Sequence, residues 1–145
     1  MRSKRLSDGE LRTYAVVLDD GEEASEALRS FARREDLSAA SVSAVGGFRS
    51  CVLGFFEWSS KRYLDIPVEE QVEILWLGGD VALKDDEPEV HAHVVVGRSD
   101  GSTRGGHLMR GLVRPTLEAI IIETPGHLRR VHDERSGLAL IDPAA

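Results

Sequence analysis

Three histidines carry the chemistry this chain can offer: His91 and His93, separated by Ala92, and His107, which follows Gly105-Gly106. Side chains two residues apart on a strand point to the same face, so His91 and His93 present their imidazoles together. Between them and His107 lies Ser99-Asp100-Gly101, whose chemistry predicts a three-residue hairpin loop, a type I turn closed by a left-handed glycine. Such a loop pairs Arg98 with Ser102, sets His93 opposite His107, and brings the three rings to one face. A two-residue loop at Asp100-Gly101 instead sets His107 opposite Val94 and turns it away, and a bulge at Gly105-Gly106 also shifts the count. Three neutral imidazoles with an open fourth position suit zinc, with nickel, copper or iron as other occupants.

If the protein is an enzyme, this chemistry is that of a metal-dependent hydrolase or lyase. A metal-bound water then needs an acid or base beside it. Glu123 and Glu57 are candidates, as is Arg49, which can fork onto a carboxylate or phosphate. Each also reads as an ordinary surface charge on a strand edge or turn. His127, after Pro125-Gly126, and His132, before Asp133, read as exposed. A fourth ligand from either of them, or from Asp or Glu, would close the shell and make the metal a structural staple. Cys51 is the one cysteine; it cannot form an internal disulfide, and its neighbours Val52 and Leu53 favour a buried, inert thiol.

The elements that must position these residues come from a chain of 145 residues, 41% hydrophobic and 30% charged, the size and composition of one globular domain over 1–145. Residues 1–10 are expected to be a flexible amino-terminal segment. The net charge of −7 argues against nucleic acid, whose binding draws on cations that neutralise phosphates. Two basic clusters, Arg129-Arg130 with Arg135 and Arg2, Lys4 and Arg5, read as solvated segments. Neither a Walker-type phosphate loop nor a dinucleotide fingerprint is present. No apolar run approaches the roughly 20 residues of a membrane helix, and the basic start is not followed by an apolar signal core. A cytoplasmic location without a membrane partner is the expectation.

Tyr14, Val16 and Leu18 fall on one face of a strand over Leu11 to Asp19. A helix follows, capped by Asp20 with Glu23 at the third position, its stripe formed by Ala24, Ala27, Leu28 and Phe31. Beyond Asp36 the period becomes two: Ala40 to Val45, Cys51 to Trp58, Gln71 to Leu77 and Val90 to Val96 predict strands. Gly46-Gly47, Ser59-Ser60-Lys61 and Gly78-Gly79-Asp80 separate them as turns or bulges. Thr116 to Glu123 predicts a further strand bounded by Pro115, and Leu138 to Ile141 a last short one. The fold class is therefore α+β: a mainly antiparallel sheet of about six to eight strands with one principal helix near the N-terminus. One helix covers little sheet, so Val94, Val96, Ile120 and Ile122 are expected to form apolar surface that drives oligomerisation. Phe48, Phe55, Phe56, Trp58 and Trp76 alternate as core or interface residues do.

Several ordered segments resemble the PPC family, the plants-and-prokaryotes conserved domain also found in plant AT-hook proteins. They are Ser41 to Phe48, Val52 to Phe56, Val72 to Gly79, His91-Ala92-His93-Val94, Gly105-Gly106-His107-Leu108 and Val113 to Glu118. The resemblance implies an antiparallel α+β domain assembled as a homotrimer, with a divalent metal on the family's three histidines, which map onto His91, His93 and His107. An unidentified small molecule would bind at or near that metal. The alternative is a DNA-binding or transcription-associated regulator, drawing on Arg129, Arg130 and Arg135. In plants the DNA-binding label belongs largely to an Arg-Gly-Arg-Pro element, and this sequence has no such tract.

Overall fold

A computed structural model of the chain describes residues 1–7, 9 and 11–145. The expected loose segment over 1–10 contains β1 (Arg2–Ser7), an edge strand antiparallel to β2 (Thr13–Asp19). β2 buries Tyr14, Val16 and Leu18 on one face, as the alternation requires. The helix α1 (Ala24–Arg34) comes next, after two strands and not at the amino terminus. Its cap is Glu23 in place of Asp20: the Glu23 carboxylate accepts from Ser25 N at 3.3 Å and Glu26 N at 2.8 Å, satisfying donors the first turn leaves open. The same carboxylate accepts from the Gly111 amide at 2.9 Å, which ties the helix start to the sheet. Ala24, Leu28, Phe31 and Ala32 are buried.

The remaining strands are β3 (Ala39–Glu57), β4 (Arg62–Val68), β5 (Val72–Lys84), β6 (Glu87–Gly97), β7 (Thr103–Glu123), β8 (Arg129–Asp133) and β9 (Leu138–Asp142). Among the described residues nine strands, more than the six to eight expected, join in one sheet. The additional ones are β1, β4 and β8; β1 and β8 are polar and lack the apolar alternation that reveals a strand in sequence, while β4 has it at Leu64, Ile66 and Val68, interrupted by Pro67. β8 also corrects the reading of Arg129-Arg130 as a merely solvated segment.

The glycine pairs do not end their strands. β3 continues through Gly46-Gly47 with the pairing irregularity that the bulge alternative expects, and β5 continues through Gly78-Gly79 in unbroken register. Gly46 has φ +142°, and a Cβ there would stand 2.2 Å from the Thr116 carbonyl oxygen; glycine lets β3 bend against β7 where a side chain would hold it off. Pro115 lies inside β7, not at its boundary, and its peptide bond to Arg114 is cis.

These long bent strands close on themselves. β3 pairs with both β5 and β7, and β6 also pairs with both, so four strands form a circuit around the core. Phe31 from the helix and Phe48, Leu53, Leu77 and Ile121 from the sheet meet inside it. Val94 and Val96 belong to this core, contrary to the surface role expected of them, while Ile120 and Ile122 are exposed. The period of two explains the correction: a strand that presents His91 and His93 on one face must turn Val94 and Val96 to the other. Phe48 is buried, whereas Phe55, Trp58 and Trp76 are exposed. Among the described residues no helix is long and apolar enough to cross a membrane.

Candidate metal centre

The hairpin between β6 and β7 sets the geometry. The Arg98 amide donates to the Ser102 carbonyl at 2.8 Å, Gly101 N donates to the Arg98 carbonyl at 2.9 Å, and Gly101 is left-handed at φ +81°. Asp100 Oδ1 locks the loop by accepting from Ser102 N at 2.9 Å. His93 therefore pairs with His107, and the following pairs, Val94 with Gly106 and Val95 with Gly105, proceed without a bulge. On the other side β6 pairs with β5, setting Asp80 opposite His91 and Gly78 opposite His93. A Cβ at Gly79 would fall 2.1 Å from the His91 carbonyl oxygen, so the absent side chain permits this approach of β5 to the histidine strand.

The three imidazoles converge. Ring centroids are 5.1 Å apart for His91 and His93, 5.0 Å for His91 and His107, and 5.5 Å for His93 and His107. One ring nitrogen from each lies within 4.8 Å of the others, a spacing that ring rotation can close onto one ion with metal–nitrogen bonds of about 2.0–2.1 Å. His107 Nδ1 is buried and has no hydrogen-bond partner. Buried polar atoms are almost always partnered, so this bare nitrogen fits a metal ligand. Burial, with help from His91, His93 and Arg130, pushes the His107 imidazole down to about 4. Burial, then His91, lowers His93 as well. Both rings are thus held in the neutral form that ligates a metal.

Around the trio stand residues that the sequence did not connect with it. Asp80 Oδ2 lies 3.7 Å from His91 Nδ1, and Asp80 also forms an ion pair with Arg130 of β8, whose side chain is only 7% exposed. Burial pushes the Asp80 carboxyl up, but His91 and Arg130 more than reverse this and hold it below its ordinary value. A carboxylate behind a ligating histidine fixes the orientation of that ring. From β4, the Tyr63 ring packs 4.8 Å from the His107 ring. A cavity of about 530 Å³ opens beside the histidines. Only the spatial crossover that lays β8 beside β5 reveals Asp80 and Arg130, which are 50 positions apart.

Other candidates lie elsewhere. Glu57 ends β3 opposite Arg62, Arg49 contacts Asp20 at 3.3 Å, and Glu123 is gripped by Arg12. None of the three is among the described residues that line the cavity. His127 and His132 are both exposed, His127 with Nδ1 2.6 Å from Ser38 Oγ, and neither joins the cluster. Burial raises the Cys51 thiol to about 11, in keeping with an inert core residue.

Comparison with known proteins places this geometry in context. The profile of the Plants and Prokaryotes Conserved (PCC) domain matches residues 5–125. The chain is 34% identical over 126 residues to the bifunctional protein GlmU of Synechococcus sp. (strain JA-3-3Ab), a match covering 85% of the chain and 19% of that protein. It thus spans about a fifth of the length of the curated relatives it matches. Among solved structures, it is similar to a metal-containing protein from Archaeoglobus fulgidus at 34% identity and TM-score 0.84, over 89% of this chain and 91% of that one. A plant- and prokaryote-conserved protein from Pyrococcus horikoshii gives 32% and 0.86, over 94% and 97%. A candidate DNA-binding protein from Bacteroides thetaiotaomicron gives 26% and 0.90, over 99% of both chains.

Proposed function

This chain belongs to the Plants and Prokaryotes Conserved (PCC) domain family, and from that premise we propose that it is a trimeric protein holding a divalent metal on His91, His93 and His107, with a small-molecule pocket beside the metal. One observation carries the reading: three imidazoles from adjacent strands converge, and the buried His107 Nδ1 has no partner within the protein. The similarity to a metal-containing Archaeoglobus protein supports it. An all-nitrogen, three-histidine donor set favours zinc. When bound, such an ion supplies Lewis acidity and lowers the pKa of a coordinated water.

The chain's own residues then have distinct parts. Asp80 holds the His91 ring, Tyr63 fixes the plane of His107, and the cavity, lined in part by Ser25 and Arg29 of the helix, admits a small molecule. Glu57, Glu123 and Arg49 lie outside the lining of that cavity, and the reading assigns them no part at the metal. In metal analysis of purified protein, wild type should carry stoichiometric zinc and His107→Ala should lose it; full occupancy in the variant sinks the reading.

Trimer formation draws support from an apolar strip on the sheet face turned away from the core, where Val45, Ile120 and Ile122 are exposed on neighbouring strands. Sedimentation showing a monomer at micromolar concentration removes it. A DNA-associated role has the name of the Bacteroides neighbour in its favour. Against it stand the net charge of −7 and the pairing of Arg129 with Asp86, Arg130 with Asp80 and Arg135 with Asp133. Failure to retard duplex DNA at low salt discards that role.

A further inference from the structure

We infer that the cavity beside the histidines receives an organic carboxylate with an apolar body, its head group bound by Arg130; this rests on the metal reading above and assigns a ligand class to the same site. The first observation concerns polar atoms without partners. Among the described residues, the buried side-chain nitrogens that lack a hydrogen-bond partner are Arg29 Nε, His107 Nδ1 and Arg130 Nε. All three residues line this one cavity. Scattered orphans would be local packing faults, but orphans gathered at one opening mark groups prepared for something from outside.

Charge is the second observation. Arg29, Lys84 and Arg130 line the cavity, so a chain of net charge −7 gathers three cations around it, with Glu89, Glu26 and Asp80 as their neighbouring carboxylates. Arg29 is already engaged by Glu26 at 2.9 Å and Glu89 at 3.2 Å. Arg130 has Asp80 as its side-chain partner, and a guanidinium carries five N–H donors in a planar fork. It therefore keeps donors for a second carboxylate, in the geometry arginine suits best.

The walls separate a carboxylate from a bare phosphate. Val90, Leu108, Met109, Leu138 and Leu140 supply apolar lining to the same cavity. The volume of about 530 Å³ falls within the roughly 300–1,000 Å³ of small-molecule sites. A phosphate ion would satisfy the arginine and leave that lining wet, whereas a carboxylate with a hydrocarbon or aromatic body covers both. β9 contributes Leu138, Ala139 and Leu140, so the β8–β9 hairpin provides both the head-group cation and part of the apolar wall.

The test is calorimetric titration of the zinc-loaded full chain with octanoate, octanamide and inorganic phosphate, with zinc content measured on every sample. Octanoate should bind wild type at least tenfold more tightly than the other two probes. Arg130→Gln should lose at least tenfold for octanoate while retaining its zinc. Equal binding of octanoate and octanamide, or an undiminished affinity in Arg130→Gln, overturns the carboxylate assignment. Phosphate binding as tight as octanoate overturns the apolar body. Should Arg130→Gln fail to fold because Asp80 is left unpaired, Leu140→Asn on the cavity rim decides: octanoate should weaken severalfold with zinc retained, and no change overturns the inference. Wild type that holds no zinc overturns the metal reading instead, and the same octanoate and octanamide titrations then judge the Arg130 assignment alone.

Discussion

Two polar constellations sit on this sheet, and they differ in how completely they satisfy themselves. In one, Glu123 Oε2 accepts from Arg12 Nε at 2.8 Å and from the Arg12 amide at 3.1 Å, while Oε1 accepts from Arg12 NH2 at 2.5 Å. Arg12 NH1 donates in turn to the Glu35 carbonyl at 2.8 Å. Both carboxylate oxygens are used, and the pair staples β2 and β7 to the end of the helix. In the other, around His91, His93 and His107, nitrogens of His107, Arg29 and Arg130 are buried without partners. A closed constellation holds a fold together, while an open one spends stability on readiness for a ligand.

The comparison breaks most visibly if the two sites respond alike to deletion. His107→Ala should weaken zinc binding by more than the roughly 10–100-fold typical of losing an outer-sphere partner, measured by chelator competition, while the metal-free protein unfolds at nearly the same urea concentration. Glu123→Ala should do the reverse. It strands a partly buried Arg12 and should cost about 2 kcal/mol of stability, with zinc affinity unchanged. A zinc defect in Glu123→Ala would show that the sites are coupled.

Asp80→Asn sharpens the contrast at smaller scale. It removes the charge behind His91 and should weaken zinc about tenfold; an unaltered affinity would mean that the carboxylate serves Arg130 alone. The smallest effects are in pH, where the two regions lose stability in separate windows. Hydrogen bonds from Arg12 hold the Glu123 carboxyl below its ordinary 4.5. Its contribution is therefore complete above that value and disappears as pH falls through the lower folded-state value. The His107 imidazole titrates at 6.5 when unfolded and near 4 in the fold, so the metal-free protein should lose stability earlier, as pH falls from 6.5 toward 4. Urea midpoints of metal-free wild type, His107→Ala and Glu123→Gln between pH 7 and 3 separate these windows. His107→Ala should flatten the upper one and Glu123→Gln the lower.

Local chemistry made the histidine site legible. Ser99-Asp100-Gly101 specifies its turn, the turn specifies the register, and the register opposes His93 to His107. The helix was legible for the same kind of reason, its apolar stripe being a local pattern, though its cap moved to Glu23 because Asp20 faces Arg114 and Arg49 instead. Gly46-Gly47 was read as a turn or a bulge and is an irregularity inside β3, whereas Gly78-Gly79 is neither, because a glycine that ends a strand and one that lets another backbone pass look alike in sequence. Asp80 and Arg130 were illegible because a crossover, not spacing, unites them. Val94 and Val96 needed only a consistent application of strand alternation to be placed inside.

The hairpin of β8 and β9 meets the sheet at a parallel bridge, Leu83 to Arg129, and through the Arg129–Asp86 and Arg130–Asp80 pairs, and it lies beyond residues 5–125 of the family match. One wall of the hollow thus comes from outside the matched segment. Substitutions at Leu138 or Leu140 change that wall without touching the Arg130–Asp80–His91 chain, whereas a change at Arg130 reaches the imidazole trio through Asp80.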